Sequence, residues 1–494
     1  MALIKNVKLN RKELEDKIYA CWLGKNIGGT MGGPYEGVDH MIDIDGFASE
    51  KGEPLPNDDL DLQLVWLRAM QHMGPVALNA NVLAEYWMTM ITPHWNEYGI
   101  GKSNIRQGML APMCGEVNND IWKHSNGAWI RSEIWACLAP GFPNIALKYA
   151  IMDATIDHGH GEGTYAEIFT TALESMAFVE NDLRKLIDMA LAYIPADCQV
   201  AQCVKKVIEE YDKGTDYREV RMMLSKMTEN LGSFQAPANI GYVVIGLMYG
   251  EDDFKKSMIY TINCGDDTDC TGATVGSIMG IMGGMSVIPE DWREYIGDRI
   301  VQICLNGSYR YANPGTCTKL TEGVMQTIPT VLFAHEIYME YTDGEREYKD
   351  GDKLLDNEWA FNHKTYYDEY PSKSFDYSPY SFTTNTTVTG DVTVDFEGVP
   401  KIKPGEPLTF KYTVRNTLEE SYIGDVQLFL PEGWVAEYDR SVYIDKCTLH
   451  SNRYSTYTVT LTAWENIISK NKIILNISSP SRALEFTIPV NILG

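Results

Sequence analysis

Two stretches of this chain place glycine at every fourth position inside segments of helical length, and this constrains the fold more than any other feature. In the later stretch, GDDTDCTGATVGSIMGIMGG, glycine stands at 272, 276, 280 and 284. In the earlier one, CWLGKNIGGTMGGPYEG, it stands at 24, 28 and 32. Each glycine costs a helix about 1 kcal/mol against alanine. Something must offset that cost, and close approach of another backbone along the glycine face is the obvious candidate. Two deeply buried, tightly packed helices are therefore expected. From Cys270 to Pro289 no residue is charged, and a span of about 20 apolar residues is long enough to cross a membrane. Its five glycines and its serines and threonines leave it only weakly apolar, and it lies directly after three aspartates. We read it as a core helix of a globular domain, not a membrane span.

The rest of the composition agrees. Of 494 residues, 42 are Lys or Arg and 68 are Asp or Glu, a net charge of −26, and no Lys/Arg-rich run relieves it. Such a surface repels a phosphate backbone, which argues against a nucleic-acid partner. Ten cysteines contain no C-x-x-C and no zinc spacing, which reads as reduced thiols. The N-terminus, MALIKNVKLNRKELEDKIYACWLG, has no apolar block of signal-peptide type. A cytoplasmic location is expected, or secretion if a precursor segment was trimmed.

Periodicity divides the chain. Leu14, Ile18, Cys21 and Trp22 fall on one helical face. Segments 60–73, 76–91, 144–155, 164–180, 182–193, 198–212, 217–229, 254–262 and 271–288 read as helices, separated by Gly, Pro and Asn. Residues 1–340 are expected to form one all-α domain. Residues 341–385, rich in Tyr, Asp, Lys and Ser with little periodicity, read as a connector. Residues 386–494 alternate in short runs such as LTFKYTVRN, STYTVTLTAW and LEFTIPVNIL, with turns at Pro404-Gly405 and Pro431-Glu432-Gly433. Six or seven such strands point to an immunoglobulin-like β-sandwich.

Four motifs can carry chemistry. In PNDDLDLQLVWL, Asn57 suits a helix N-cap, and Asp58, Asp59 and Asp61 crowd the first turn. The helix dipole favours acids there, yet three carboxylates within four residues repel one another, and a bound cation relieves that. In NCGDDTDC, Asp266, Asp267 and Asp269 crowd the head of the second glycine helix. Two clusters in one domain point to a shared divalent site, and oxygen donors without a His or Cys array suit Mg²⁺, Mn²⁺ or Ca²⁺ better than zinc. Glu36 comes after a Gly-Gly-Pro turn and is either a surface acid or a placed general acid/base. In HSNGAWIRS, Asn126-Gly127 forms a turn, and Arg131 either contacts a ligand phosphate or caps a helix. In DATIDHGHGEG, His158 and His160 flank Gly159.

Taken in this order, the motifs resemble those of the ADP-ribosylglycohydrolase family. The resemblance covers about residues 14–335. The family's G-x-x-x-G-x-x-x-G-x-P-x-E is matched by Gly24 through Glu36, and its T-D-D by Asn57-Asp58-Asp59. Its S-x-G-N-G-x-x-x-R is matched loosely by Ser125-Asn126-Gly127 and Arg131, its T/S-H by His158, and its late G-G-D-T-D-T-x-G-A motif by Gly265 through Gly280. The resemblance implies an all-α fold with a binuclear Mg²⁺ or Mn²⁺ centre, and hydrolysis of the bond between a ribose anomeric carbon and its acceptor. By the same resemblance Asn57, Asp58, Asp59, Asp267 and Asp269 hold one or two ions. Glu36 is the movable catalytic glutamate, and Asn126, Gly127, Arg131 and His158 line the substrate pocket. Two threonines of the family pattern are replaced, by Asn57 and by Cys270; a thiol is a poor Mg²⁺ ligand.

The expectation is thus a metal-dependent glycoside hydrolase acting on a small-molecule or glycosylated substrate with a ribose-like sugar, an ADP-ribosyl group first among candidates. It has no nucleic-acid or membrane partner. The alternatives are a glycosidase or nucleoside hydrolase on another sugar, and a catalytically silent binding protein that uses the same pocket.

Overall fold

The computed structural model describes residues 5–307, 313–342, 375–387, 390–447, 453–479 and 484–494. Most of the expected connector, residues 343–374, lies outside the described residues.

The N-terminal region is helical. Its α-helices are α1 (Arg11–Gly32), α2 (Asp58–Ala77), α3 (Ala80–Met90), α4 (Asn96–Arg106), α5 (Met113–Glu116), α6 (Glu133–Leu138), α7 (Pro143–His158), α8 (Glu162–Ala177), α9 (Leu183–Leu191), α10 (Gln199–Lys213), α11 (Tyr217–Met227), α12 (Ala236–Tyr249), α13 (Phe254–Ile262), α14 (Thr268–Gly283), α15 (Glu290–Ile296) and α16 (Cys317–Ala334). Strand β1 (Lys5–Asn10) pairs in parallel with β2 (Ile337–Thr342), tying the two ends of this region together. Parallel pairing of segments more than 300 residues apart leaves no local signature, so the sequence does not announce it.

The two glycine helices lie against each other, antiparallel and backbone to backbone. A Cβ built on Gly24 would overlap the carbonyl of Gly276, one on Gly28 the carbonyl of Gly272, one on Gly32 the carbonyl of Thr268, and one on Gly280 the carbonyl of Ala20. Each step of four along α1 is matched by a step of four back along α14. The Thr268 hydroxyl donates to the Gly32 carbonyl at 2.8 Å. From Ile18 to Gly32 α1 has one part-exposed residue, Tyr19, and α14 is buried from Thr268 to Ile281. The helix-propensity cost of the glycines is thus offset by close packing of main chain on main chain. No single helix among the described residues is long and apolar enough to cross a membrane.

The C-terminal region is antiparallel sheet. One sheet has the order β3 (Ser381–Thr387), β4 (Gly390–Asp395), β5 (Leu408–Asn416), β9 (Tyr454–Ala463), β7 (Trp434–Glu437). The other runs β11 (Leu484–Leu493), β10 (Lys470–Ser479), β6 (Tyr422–Phe429), β8 (Ser441–Ile444). Alternate residues point inward, as in Val392 and Val394, Phe410 and Tyr412, or Ile473, Leu475 and Ile477, all buried. Strand β3 begins at Ser381, ahead of residue 386. The sheets rest on the helical region: the Asn491 amide donates to the Gly108 carbonyl at 2.8 Å, buried Phe382 bridges Pro112 through its backbone, and Phe375 packs edge-on against His160 at 4.9 Å. All ten cysteines are buried, and none is in a disulfide.

Helix propensity and packing make opposite forecasts at the glycine seam. Propensity says Gly276→Ala stabilises α14; the overlap with Gly24 says it destabilises. We expect a loss of roughly 2 kcal/mol or more, since neither backbone can retreat. Gly46→Ala, where a Cβ meets nothing within 4 Å, should change stability by less than about 0.5 kcal/mol. Thermal unfolding of the two variants checks this.

Candidate functional site

The seam fixes the site. Where α1 ends, the chain turns through Gly33-Pro34-Tyr35 to Glu36. Because α14 runs antiparallel, that turn lies beside the start of α14, where Asp267 and Asp269 stand. Two backbone bonds pin it there: the Gly37 N–H donates to the Asp266 carbonyl at 2.8 Å, and the Asp266 N–H to the Val38 carbonyl at 2.6 Å. Asp266 has φ +65°, a conformation that favours glycine. Its carboxylate accepts from the Phe234 N–H at 2.9 Å and the Asn239 amide at 3.1 Å, so it braces the loop.

Helix α2 brings its own N-terminus to the same place. Two clusters result, Asp59 with Asp269 and Cys270, and Glu36 with Asp267 and Asp269, each with ligand atoms within 4.8 Å of one another. Asp269 belongs to both. Asp59, Asp267 and Asp269 are buried, and Glu36 is exposed at the rim. The Asp267 Oδ2 accepts from the Asn126 amide at 2.6 Å. Asp267 Oδ1, Asp269 Oδ1 and Asp59 Oδ2 accept no hydrogen bond among the described residues. Burial, then the neighbouring Asp267 and Glu36 charges, pushes the Asp269 carboxyl well above the usual range. Burial likewise raises Asp267 and Asp58, and burial together with the Asp58 charge raises Glu36. Crowded, desolvated carboxylates with orphaned oxygens are costly unless protons or a cation neutralise them.

The other expected residues fall in two places. Asp58 accepts from the Tyr98 hydroxyl at 3.2 Å. Asn57 caps α2, its Oδ1 accepting from the Asp59 N–H at 2.7 Å, while its amide nitrogen is pressed against Gly29. Asp61 turns away and accepts from the Ile303 and Cys304 N–H groups at 2.7 and 2.6 Å, holding a neighbouring loop. Asn126 links the glycine loop to the acidic cluster, accepting from the Trp129 indole at 3.1 Å while it donates to Asp267.

Arg131 stands behind that loop and not in the pocket. It is wholly buried, and all five of its donors are spent inside the protein: on Asp153 (side chain 2.9 Å, carbonyl 3.4 Å), on Asp157 (2.8 and 3.1 Å) and on the Gly127 carbonyl at 2.7 Å. Its guanidinium also lies over the Trp87 ring at 4.6 Å. A ligand phosphate has no donor left to meet, so Arg131 shapes the loop from behind. His158 is buried too. Its Nδ1 meets Asp157 at 2.8 Å and its Nε2 meets the Ser125 hydroxyl at 3.2 Å. Burial would raise Asp157, but Arg131 and then His158 hold it well below the carboxylate range. The chain Arg131–Asp157–His158–Ser125 thus fixes both ends of the 125–127 turn.

With this geometry in view, comparison with known proteins decides the family. A family model described as ADP-ribosylglycohydrolase matches residues 10–335. The chain belongs to the ADP-ribosylglycohydrolase family. Human ADP-ribosylhydrolase ARH3 is 22% identical over 230 residues, covering 40% of this chain and 62% of the human protein. The chain therefore spans less than two thirds of that relative's length. An uncharacterized protein of Archaeoglobus fulgidus is 24% identical over 308 residues, covering 58% of this chain and 93% of that protein. A solved structure, an ADP-ribosylglycohydrolase-related protein complex, aligns over 66% of this chain and 100% of its own at 18% identity and a TM-score of 0.43.

The ADP-ribosylglycohydrolase region also contains site residues that motif reading passed over. Lys25 is wholly buried and bonds Glu133 at 2.7 Å and Asp59 at 3.6 Å. Burial opposes its charge, yet Glu133 and then Asp59 hold its ammonium above the ordinary lysine range. A lysine inside a glycine run that must be buried was the available signal. Glu97 lies under the glycine loop, where a Cβ on Gly127 would strike its carboxylate. Its Oε2 has no partner among the described residues.

Burial pushes Glu97 up to about 7, with His158 opposing and Asp157 adding to the rise. The native state therefore holds this proton more tightly than the unfolded chain. That contribution is fully present below the unfolded glutamate pKa and is lost as pH rises through about 7. Glu97→Gln removes the titration. Its melting temperature relative to wild type should rise between about pH 5 and pH 8.5, and a pH-independent difference would contradict the burial.

Proposed function

We propose that the chain hydrolyses the glycosidic bond between an ADP-ribosyl group and its acceptor, with one or two divalent cations, Mg²⁺ or Mn²⁺, held by the acidic cluster. The observation that carries this reading is the set of buried oxygens, Asp267 Oδ1 and Asp269 Oδ1, left without donors beside the Glu36 carboxylate. Hard oxygen donors of this kind fit such an ion. Asp58, Asp59, Asp267 and Asp269 would hold it. When bound, it supplies positive charge to the cluster and a hold on ribose hydroxyls and water.

The chain's own residues do the rest. Asn126 fixes the rotamer of Asp267, and the buried Arg131–Asp157–His158–Ser125 chain keeps the glycine turn in place for the substrate. Glu36 sits on the rim with its proton affinity raised, so it can take a proton from the attacking water or give one to the leaving acceptor. In the overall step the anomeric carbon–acceptor bond breaks, water supplies the new oxygen, and the water proton ends on the acceptor. The paired sheets of residues 381–494, nine short antiparallel strands among the described residues, support an immunoglobulin-like reading of that region.

A panel of ADP-ribosylated peptides, nucleosides and aryl furanosides, assayed with Mn²⁺ and with chelator, tests this. We expect cation-dependent release of ADP-ribose and loss of both turnover and Mn²⁺ binding in Asp269→Asn. Glu36→Gln should lower turnover by roughly 10²–10⁴-fold with thermal stability retained. Turnover by Glu36→Gln within about two-fold of wild type would contradict the acid/base role. Silence across the panel with metal bound would point to a different sugar.

A further inference from the structure

The two ends of the acidic cluster are unequal. At the Glu36 end, three carboxylates converge, and Asp267 Oδ1 and Asp269 Oδ1 accept no hydrogen bond among the described residues. At the Asp59 end the charge is already compensated, although Asp59 Oδ2 accepts no hydrogen bond among the described residues. The Cys270 thiol donates to Asp59 Oδ1 at 3.4 Å. The other oxygen, Asp59 Oδ2, faces the Lys25 ammonium at 3.6 Å. The Asn57 oxygen is spent on the Asp59 N–H, and its amide nitrogen is held against Gly29. Lys25 cannot swing clear: it is fully buried on the glycine helix and anchored by Glu133, which also accepts from Gln63 at 2.7 Å.

We infer that this site takes a single divalent cation, held by Asp267 and Asp269 beside Glu36, and that the Lys25 ammonium stands where a second ion's charge would be needed. The inference rests on the divalent-metal reading above. A second ion at Asp59 would have to meet a soft thiol as donor and would lie next to a fixed positive charge in a poorly screened interior. Lys25 neutralises Asp59 without either difficulty. It also gives the residue pair Lys25 and Cys270 one shared explanation: each substitutes for part of a second oxygen-donor set, one as charge and the other as a donor that satisfies Asp59 Oδ1.

Metal stoichiometry reads this directly, without any substrate. The full chain is titrated with Mn²⁺ by calorimetry, and bound Mn²⁺ is characterised by electron paramagnetic resonance. We expect one ion per chain with the spectrum of an isolated Mn²⁺. Two ions per chain with an exchange-coupled spectrum would overturn the inference while leaving the metal reading intact. No bound ion would overturn both. In the variant carrying Lys25→Met, Glu133→Gln and Cys270→Thr, the charge pair is removed together and an oxygen donor is restored, so stoichiometry should rise from one to two. A folded variant that still binds one ion would overturn the role given to Lys25. If the variant does not fold, the wild-type stoichiometry and spectrum decide alone.

Discussion

Main chain packed on main chain between α1 and α14 is the contact on which the rest of the site depends. Its antiparallel register sets which residue meets which, and hence that the turn after Gly32 arrives beside Thr268. Glu36 and Asp267 stand far apart in sequence, yet they become neighbours because glycine recurs every fourth position on both helices. A side chain larger than hydrogen at Gly24, Gly28 or Gly276 would separate the helices and with them the two halves of the acidic cluster. The weakness of glycine as a helix former is here the condition for the site's geometry.

The site itself is built against electrostatic preference. Several carboxyls are drawn out of water and toward one another, and burial raises their proton affinities. Two features make this tolerable. The acids lie at the starts of α2 and α14, where helix dipoles favour negative charge. Lys25 compensates Asp59 and Glu133 from inside. Oδ1 of Asp267 and Oδ1 of Asp269 still accept no hydrogen bond among the described residues. A second buried network, Arg131 with Asp153 and Asp157, braces the 125–127 turn, and all of Arg131's donors are spent inside the protein.

Much of this was legible in the residues. The period-four glycines announced a close helix pair, and the two aspartate clusters announced a shared site at helix starts. Residue pattern also separated a helical first part from an alternating, strand-forming last part. What the sequence did not show depended on long-range placement. An arginine that packs under a loop and one that grips a phosphate look alike as Gly-x-x-x-Arg; only the spent donors of Arg131 tell them apart. Asn57 was legible as an N-cap, but not that capping would occupy its oxygen. Helix α12, one of the most apolar, lacks an amphipathic stripe because it is buried nearly all round, and periodicity therefore passed over it. The β1–β2 pair joins segments too distant for any local signal.

The central claim is that the orphaned oxygens of Asp267 and Asp269 are a cation site. The most direct measurement is anomalous diffraction from crystals of the full chain grown with Mn²⁺. The account predicts an anomalous peak at coordination distance, about 2.2 Å, from Asp267 Oδ1 and Asp269 Oδ1 and within reach of Glu36. Crystals grown in Mn²⁺ that show no anomalous density between these carboxylates would contradict it.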